Sequence, residues 1–277
     1  MARLLSSSRA IFVLKIYGNS QLPIRVHMSS TSPSINLPAH QLTSLPARYA
    51  IIVAGGSGLR MGADRPKQFL LLHGEPVLLH TLRHFAEPAL GVAQLVVVLP
   101  FDQLEYWKQL IEQYAITIPH QLVAGGVTRW ASVKAGLAAL PADASAGTLV
   151  AVHDGVRPLI TKVVIEAAYQ AAALHGAVAV AVPPKDSVRL LGAAGSSPLD
   201  RRRLRLMQTP QTFDLALLRC AYRLPELPTF TDDASVVDDL HPVHLVEGDY
   251  RNLKITTPED LLLAEALLAN LTADSNG

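Results

Sequence analysis

The chain has 277 residues, 49% of them hydrophobic, and a formal net charge of +1. That size and apolar content suit one large α/β domain or two small ones with a full core, and the near-neutral charge gives no electrostatic case for a nucleic-acid partner. Cys220 is the only cysteine, which excludes an intramolecular disulfide and a cysteine-ligated metal cluster and suits a reducing interior.

The charge is unevenly spread. Residues 1–48 hold five of the 24 basic residues and none of the 23 acidic ones, so the rest of the chain is net acidic by four. This Ser-rich, acid-free head (1–47) is expected to be disordered. It has two readings: an organelle transit peptide, or sequence upstream of a start at Met28. The apolar run Ala10–Tyr17 is far short of the ~20 residues a membrane span needs, and no other segment supplies one. The corresponding expectations are a bacterial cytoplasmic protein, or a plastid stromal one if the head is a transit peptide.

From Arg48 onward, short β-branched runs alternate with segments of helical period. "YAIIVAG" (Tyr49–Gly55), "LVVVLP" (Leu95–Pro100), "LVAVHDG" (Leu149–Gly155) and "AVAVAVPP" (Ala177–Pro184) lack polar alternation, as parallel strands buried on both faces do. Between them, "PVLLHTLRHFAEP", "FDQLEYWKQLIEQYA", "TRWASVKAGLAAL" and "TKVVIEAAYQAAALHG" place apolar residues at helical spacing. This predicts a Rossmann-like, open, mostly parallel α/β sheet with helices on both faces. Lys185–Phe213 breaks the rhythm and reads as two short strands around a Gly/Ser turn, a hairpin insertion spanning about 185–209. Its arginines suit either a solvated edge or an arm that meets a partner subunit or a phosphate. A helix over Asp214–Leu224, a helix from about Thr231, strands at "VHLVEG" and "NLKIT", and a helix from Pro258, capped by Thr257, complete the chain.

Ligands in such sheets bind at the carboxyl ends of strands, where the least ordinary stretches fall. "VAGGSGLRMGADRPKQF" (Val53–Phe69) fits neither G-x-G-x-x-G nor G-x-x-x-x-G-K-[ST]. Gly55, Gly56 and Gly58 can still bring backbone N–H groups to phosphates, and Arg60 and Lys67 can reach the same phosphates as a planar fork and a point charge. "HDGVRP" puts Asp154 at a strand end, where Mg²⁺ is held by few protein ligands, with Arg157 beside it. "AGGVTRWAS" offers small residues, Gly126 among them, against which a flat base can lie, and Ser132 to bond its edge. "NLKITTPEDL" supplies Lys254 from a strand end. Taken singly these also read as a glycine turn, a turn cap, a helix cap at Thr128 and a surface lysine. Together they suit nucleotidyl transfer between phosphates. The attacking phosphate monoester, with a second pKa of about 6, is already largely dianionic and needs no general base, and His153 reads as a packing neighbour.

The ordered motifs "AGGSGLRMG", "RPKQF", "GGVTRWASV", "HDGVRP", "KDSV", "TPQTF", "TDDAS" and "VEGDYRNLKITTPEDL" span roughly Arg48 to Asn270. The chain resembles the 2-C-methyl-D-erythritol 4-phosphate cytidylyltransferases of the non-mevalonate isoprenoid pathway. The resemblance implies transfer of CMP from CTP to the sugar phosphate with release of pyrophosphate, a requirement for Mg²⁺ or another divalent cation, and a homodimer. It implies that Arg60, Lys67 and Lys254 stabilise the pentavalent phosphorus and that Asp154 holds the metal. By the same resemblance Ala54, Gly55, Gly56, Gly126 and Ser132 enclose cytosine and ribose. Arg157, Ser187, Arg201 and Thr209 would grip the sugar phosphate, the hairpin residues coming from the other subunit. Ser187 stands where threonine is frequent, Val127 where some members carry aspartate, and Arg251 where others are acidic. A sister group with the same CTP site takes ribitol 5-phosphate, the alternative acceptor.

Overall fold

The computed structural model describes residues 46–55, 65–193 and 195–274, with side chains to residue 270. The head to residue 45, and Gly56, Gly58 and Arg60 of the glycine loop, lie outside these residues.

The centre is a seven-stranded sheet built from β1 (Arg48–Val53), β4 (Val92–Leu99), β5 (Gln121–Ala124), β6 (Leu149–Asp154), β7 (Ala177–Val182), β10 (Leu206–Asp214) and β11 (His244–Glu247). The order across it is β11-β7-β10-β6-β1-β4-β5. Pairings are parallel except those of β10, which runs antiparallel to both β6 and β7. Two short strands, β2 (Leu71–Leu72) and β3 (Glu75–Pro76), form a separate ribbon ahead of the first helix.

The apolar runs form central strands because both faces are covered. In β1, Ala50 and Ile52 point into one layer of side chains and Ile51 and Val53 into the other. The first layer comes from α1 (Val77–Phe85), α2 (Leu104–Gln113) and α4 (Lys162–His175), with Phe85, Trp107 and Tyr169 fully buried. The second comes from α3 (Arg129–Ala138), α5 (Leu215–Ala221) and α6 (Asp233–Val237). The last helix, α7 (Pro258–Asp274), joins a smaller cluster of Leu72, Val77, Val156 and Ile255. The Asp260 carboxylate accepts from the backbone N–H groups of Thr256 and Thr257, each at 2.8 Å, and so fixes where that helix starts.

The structure adds β2, β3 and β5, which the sequence reading did not contain, and corrects that reading at two further elements. The hairpin is real, as β8 (Val188–Gly192) paired antiparallel with β9 (Gly195–Leu199). But "TPQTF" belongs to β10, a strand inside the main sheet that is buried from Gln208 to Phe213, so Thr209 sits in the body of the fold and not on the arm. This strand carries Gln208, Thr209, Gln211 and Thr212 and so lacks the apolar signature of its neighbours. The side chains of Gln208, Thr209 and Gln211 bond to Asp249, His153 and Asp232, whereas the Thr212 hydroxyl is buried without a partner among the described residues. Pro210 offers no N–H, and the ladder to β7 shifts register between Met207 and Gln211. The second departure is "NLKIT", which forms no strand. Ile255 N donates to Val156 O at 2.9 Å, and Lys254 projects from an extended connection between β11 and α7.

Candidate active site

The carboxyl ends of β1, β5 and β6 meet where β1 is flanked by β4 on one side and β6 on the other, the crevice at which open α/β sheets bind ligands. Close backbone approach shapes it. Gly155 N donates to Val53 O at 2.8 Å, and a Cβ at Gly155 would lie 2.9 Å from the Ala54 Cβ. A Cβ at Gly126 would come within 2.4 Å of the Ala131 Cβ, so only glycine lets this loop fold over the start of α3. Thr128 caps that helix, its hydroxyl accepting from Ala131 N at 3.0 Å. The Ser132 hydroxyl donates to Thr128 O at 2.9 Å and keeps only acceptor capacity for a ligand.

Two adjoining cavities open here. The first, of about 180 Å³, is lined by Ala54, Gly55, Lys67, Gly126, Val127 and Ser132, together with Arg129, Asp154 and Lys254. The second, of about 250 Å³, is lined by Arg157, Gln208, Thr209 and Asp232, again with Arg129, Asp154 and Lys254. Lys67 stands in a 3-10 turn, Lys67–Phe69, entered from Pro66 at φ −57°. Sequence reasoning missed what holds that turn. Gln68 is fully buried and donates to the Gln103 side chain, while Phe69 meets the ring edge of Tyr106 at 5.2 Å and stacks on Trp107 at 5.9 Å.

Asp154 lies where the cavities join, among three cations. Its Oδ2 is 3.0 Å from Lys254 Nζ and 3.4 Å from Arg157 Nε, and its Oδ1 is 3.4 Å from Arg129 Nε. Burial would raise its pKa, but Arg129, Lys254 and Arg157 outweigh burial and hold the carboxyl far below the usual carboxylate range. Arg157 is itself anchored, its Nη1 donating to Asn252 O at 2.7 Å. Arg129 is a second omission of the sequence reading. Burial opposes its charge, but Asp233 and Asp154 overcome that and raise its pKa. Nothing in "TRW" or "TDDAS" tells that residues 104 positions apart bridge at 2.7 Å, as Arg129 Nη2 and Asp233 Oδ2 do.

His153 is fully buried, and that burial pushes its pKa down to about 3. The Thr209 hydroxyl accepts from Asp154 N at 3.1 Å, which directs its own proton to His153 Nδ1, also 3.1 Å away. The ring's Nε2–H then faces the Arg157 carbonyl at 3.4 Å. His153 is therefore a neutral brace between β6 and β10, the packing neighbour expected. Ser187 and Arg201, by contrast, line neither cavity. Ser187 is exposed at the base of the arm, and Arg201 donates to Lys185 O at 2.5 Å.

A mostly parallel α/β sheet ending in a small-residue pocket, with two arginines and a lysine gathered about one carboxylate, defines an enzyme that handles phosphates, of the nucleotidyltransferase class. Residues 49–270 match the IspD family, 2-C-methyl-D-erythritol 4-phosphate cytidylyltransferase. The chain belongs to that family. It is 51% identical over 225 residues to the enzyme of that name from Porphyromonas gingivalis, covering 80% of this chain and 98% of that protein. With the Bacteroides thetaiotaomicron enzyme it shares 49% identity over 219 residues, 79% of this chain and 98% of that one. Among solved structures, the 4-diphosphocytidyl-2C-methyl-D-erythritol synthase of Anaerococcus prevotii superposes with a TM-score of 0.69 at 31% identity, over 81% of this chain and 96% of that chain. The Thermus thermophilus enzyme gives 0.63 at 31% identity, over 79% and 98%. Among the described residues no helix is long and apolar enough to cross a membrane.

Proposed function

We infer that this chain transfers CMP from CTP to 2-C-methyl-D-erythritol 4-phosphate, giving 4-diphosphocytidyl-2-C-methyl-D-erythritol and pyrophosphate. The observation that carries the reading is the pair of cavities sharing Arg129, Asp154 and Lys254. CTP occupies the first, its base and ribose against Ala54, Gly55, Gly126 and Ser132. The sugar phosphate occupies the second, against Arg157 and Thr209. The reacting phosphorus then falls between the cavities, beside Lys67 and Lys254, and the family resemblance assigns Arg60 to the same cationic set. The acceptor phosphate attacks as a dianion, one P–O bond forms at the α-phosphorus, and the bond to pyrophosphate breaks. The chain supplies position and charge. No side chain needs to take a proton, and the neutral, buried His153 is not placed to do so.

Asp154 suits a hard divalent cation such as Mg²⁺. It is a nearly buried carboxylate facing both cavities, and among the described residues no cluster of three His, Cys, Asp or Glu surrounds a metal position. An ion held by one carboxylate takes its remaining ligands from phosphates and water, as Mg²⁺ does at nucleotide sites. Bound there, it would neutralise phosphate charge. The arm carries Leu190 and Leu191 at 58% and 82% exposure, an apolar face suited to a second copy of the chain. A homodimer through that face brings Ser187 and Arg201 to the partner's sugar-phosphate cavity.

The relatives and structures described above carry the methylerythritol name and lend nothing to the ribitol 5-phosphate alternative. Pyrophosphate release from CTP, measured with each acceptor in turn, tests the reading. Release with methylerythritol phosphate and none with ribitol phosphate is expected, and the opposite pattern overturns it.

A further inference from the structure

The Arg129 guanidinium is shared unequally between two carboxylates. Its Nη2 is 2.7 Å from Asp233 Oδ2, whereas its Nε keeps a long 3.4 Å contact with Asp154 Oδ1. Asp233 has no solvent exposure, and the fold fixes it tightly. Tyr222 donates its hydroxyl to Asp233 Oδ1 at 2.6 Å. Asp232 and Ser235 form a reciprocal capping box at the start of α6. From β10, Gln211 donates to Asp232 Oδ2 and accepts from Ala234 N, both at 2.8 Å. A buried carboxylate this constrained, at the edge of neither cavity, has no contact with substrate to explain it.

We propose that Asp233 is a positioning residue that draws Arg129 away from Asp154, so that an Asp154 oxygen stays available to the divalent cation that accompanies the nucleotide. Asp154 already has two other cationic neighbours, Lys254 and Arg157. A third cation at full hydrogen-bonding distance would compete directly with a metal for the same carboxylate. With Asp233 in place, the charge of Arg129 is satisfied elsewhere while its guanidinium still lines both cavities. The proposal rests on the reading of Asp154 as the metal ligand.

The test measures metal binding without turnover. The intact protein is saturated with CTP in the absence of acceptor, and Mn²⁺ is titrated in, followed by water-proton relaxation. Asp233→Asn keeps the shape and one acceptor oxygen but removes the charge. It should weaken Mn²⁺ by about tenfold or more, the usual effect of losing an outer partner at a metal site. The same substitution in an Arg129→Gln background should have little effect, since the competing cation is gone. A role in folding alone would lower thermal stability equally in both backgrounds and leave Mn²⁺ affinity unchanged, and that result overturns the proposal. If Asp233→Asn does not fold, Arg129→Gln carries the test. Removing the shared cation should tighten Mn²⁺ at saturating CTP, and weaker or unchanged binding overturns the proposal. Asp154→Asn serves as the separate control. Should it leave Mn²⁺ affinity intact, the metal assignment itself fails, irrespective of Asp233.

Discussion

At the scale of single residues, charge is placed with little redundancy. Lys67 is presented by a turn whose next two residues are locked against Gln103 and against Tyr106 and Trp107 of α2, so its amine can be aimed at the nucleotide. A cation that faces the α-phosphate gains most as pentavalent charge develops. Lys67→Ala should therefore lower kcat roughly a hundredfold and change CTP affinity only a few-fold, with the two separated by single-turnover kinetics and calorimetry. Equal losses in both would make Lys67 a ground-state anchor. A second prediction concerns His120, away from the site. Its Nε2 accepts from the Trp107 indole N–H at 3.0 Å and its Nδ1 faces Ile118 O at 2.8 Å, so the folded ring has a use for only one proton. Burial lowers its pKa, so the unfolded chain binds the proton first. Stability is thus full above the ordinary histidine value of about 6.5 and falls as pH drops through and below it. His120→Gln retains an acceptor for Trp107 and should flatten that fall when urea midpoints are compared at pH 7.5 and 5.5. Parallel losses in both proteins would assign the pH dependence to other groups.

At the scale of elements, Gly136 shows how the helix that carries half the pocket is seated. A Cβ there would lie 2.7 Å from Ile51 Cγ2 and 3.1 Å from Val98 Cγ2, so α3 rests directly on β1 and β4. Gly136→Ala gains helix propensity worth about 1 kcal/mol but overpacks the interface at a cost of about 1–3 kcal/mol. A lower melting temperature and weaker CTP binding are expected together, because Arg129 and Ser132 ride on the same helix. A rise in melting temperature would mean the layer relaxes freely. The elements also show what could be read beforehand. The buried strands β1, β4, β6 and β7 were legible from unbroken apolar runs, and α1 to α4 from their period. β10 was not, because it is built of Gln and Thr, and Gln208, Thr209 and Gln211 bond to partners far away in sequence. Lys67 could be found from the stretch that follows β1, Asp154 from the end of β6, and Lys254 from a segment misread as a strand, yet all three line the first cavity. Arg129 and Asp233 could not, since an ion pair between residues so far apart leaves no local pattern.

At the scale of the whole molecule, the residues that the family resemblance assigns to the site divide between those that the cavities of one chain gather and those that they do not. The Porphyromonas gingivalis relative is covered to 98% by 225 residues of this chain, so a chain beginning at Leu45 should turn over like the full-length one. Loss of activity on that truncation would give the head a part in the fold. The arm allows a sharper experiment. Arg201 and Ser187 line neither cavity of their own chain, and the arm leaves Leu190 and Leu191 exposed where a partner surface would cover them. If a second copy supplies that surface, each active site takes Arg201 from the neighbouring chain and Lys67 from its own. Arg201→Ala should then weaken binding of the sugar phosphate while CTP affinity, which depends on the loops of one chain, stays nearly intact. Mixing Arg201→Ala with Lys67→Ala protein decides the matter. In a mixed dimer one site collects both defects and the other collects neither, so two poorly active preparations should regain activity on exchange. For random pairing across a two-fold axis, half the dimers are mixed and the recovered activity approaches about a quarter of wild type. Subunit exchange is confirmed independently by mass spectrometry of differently tagged chains. If mixed dimers form and activity does not return, Arg201 serves its own subunit and the shared site is excluded.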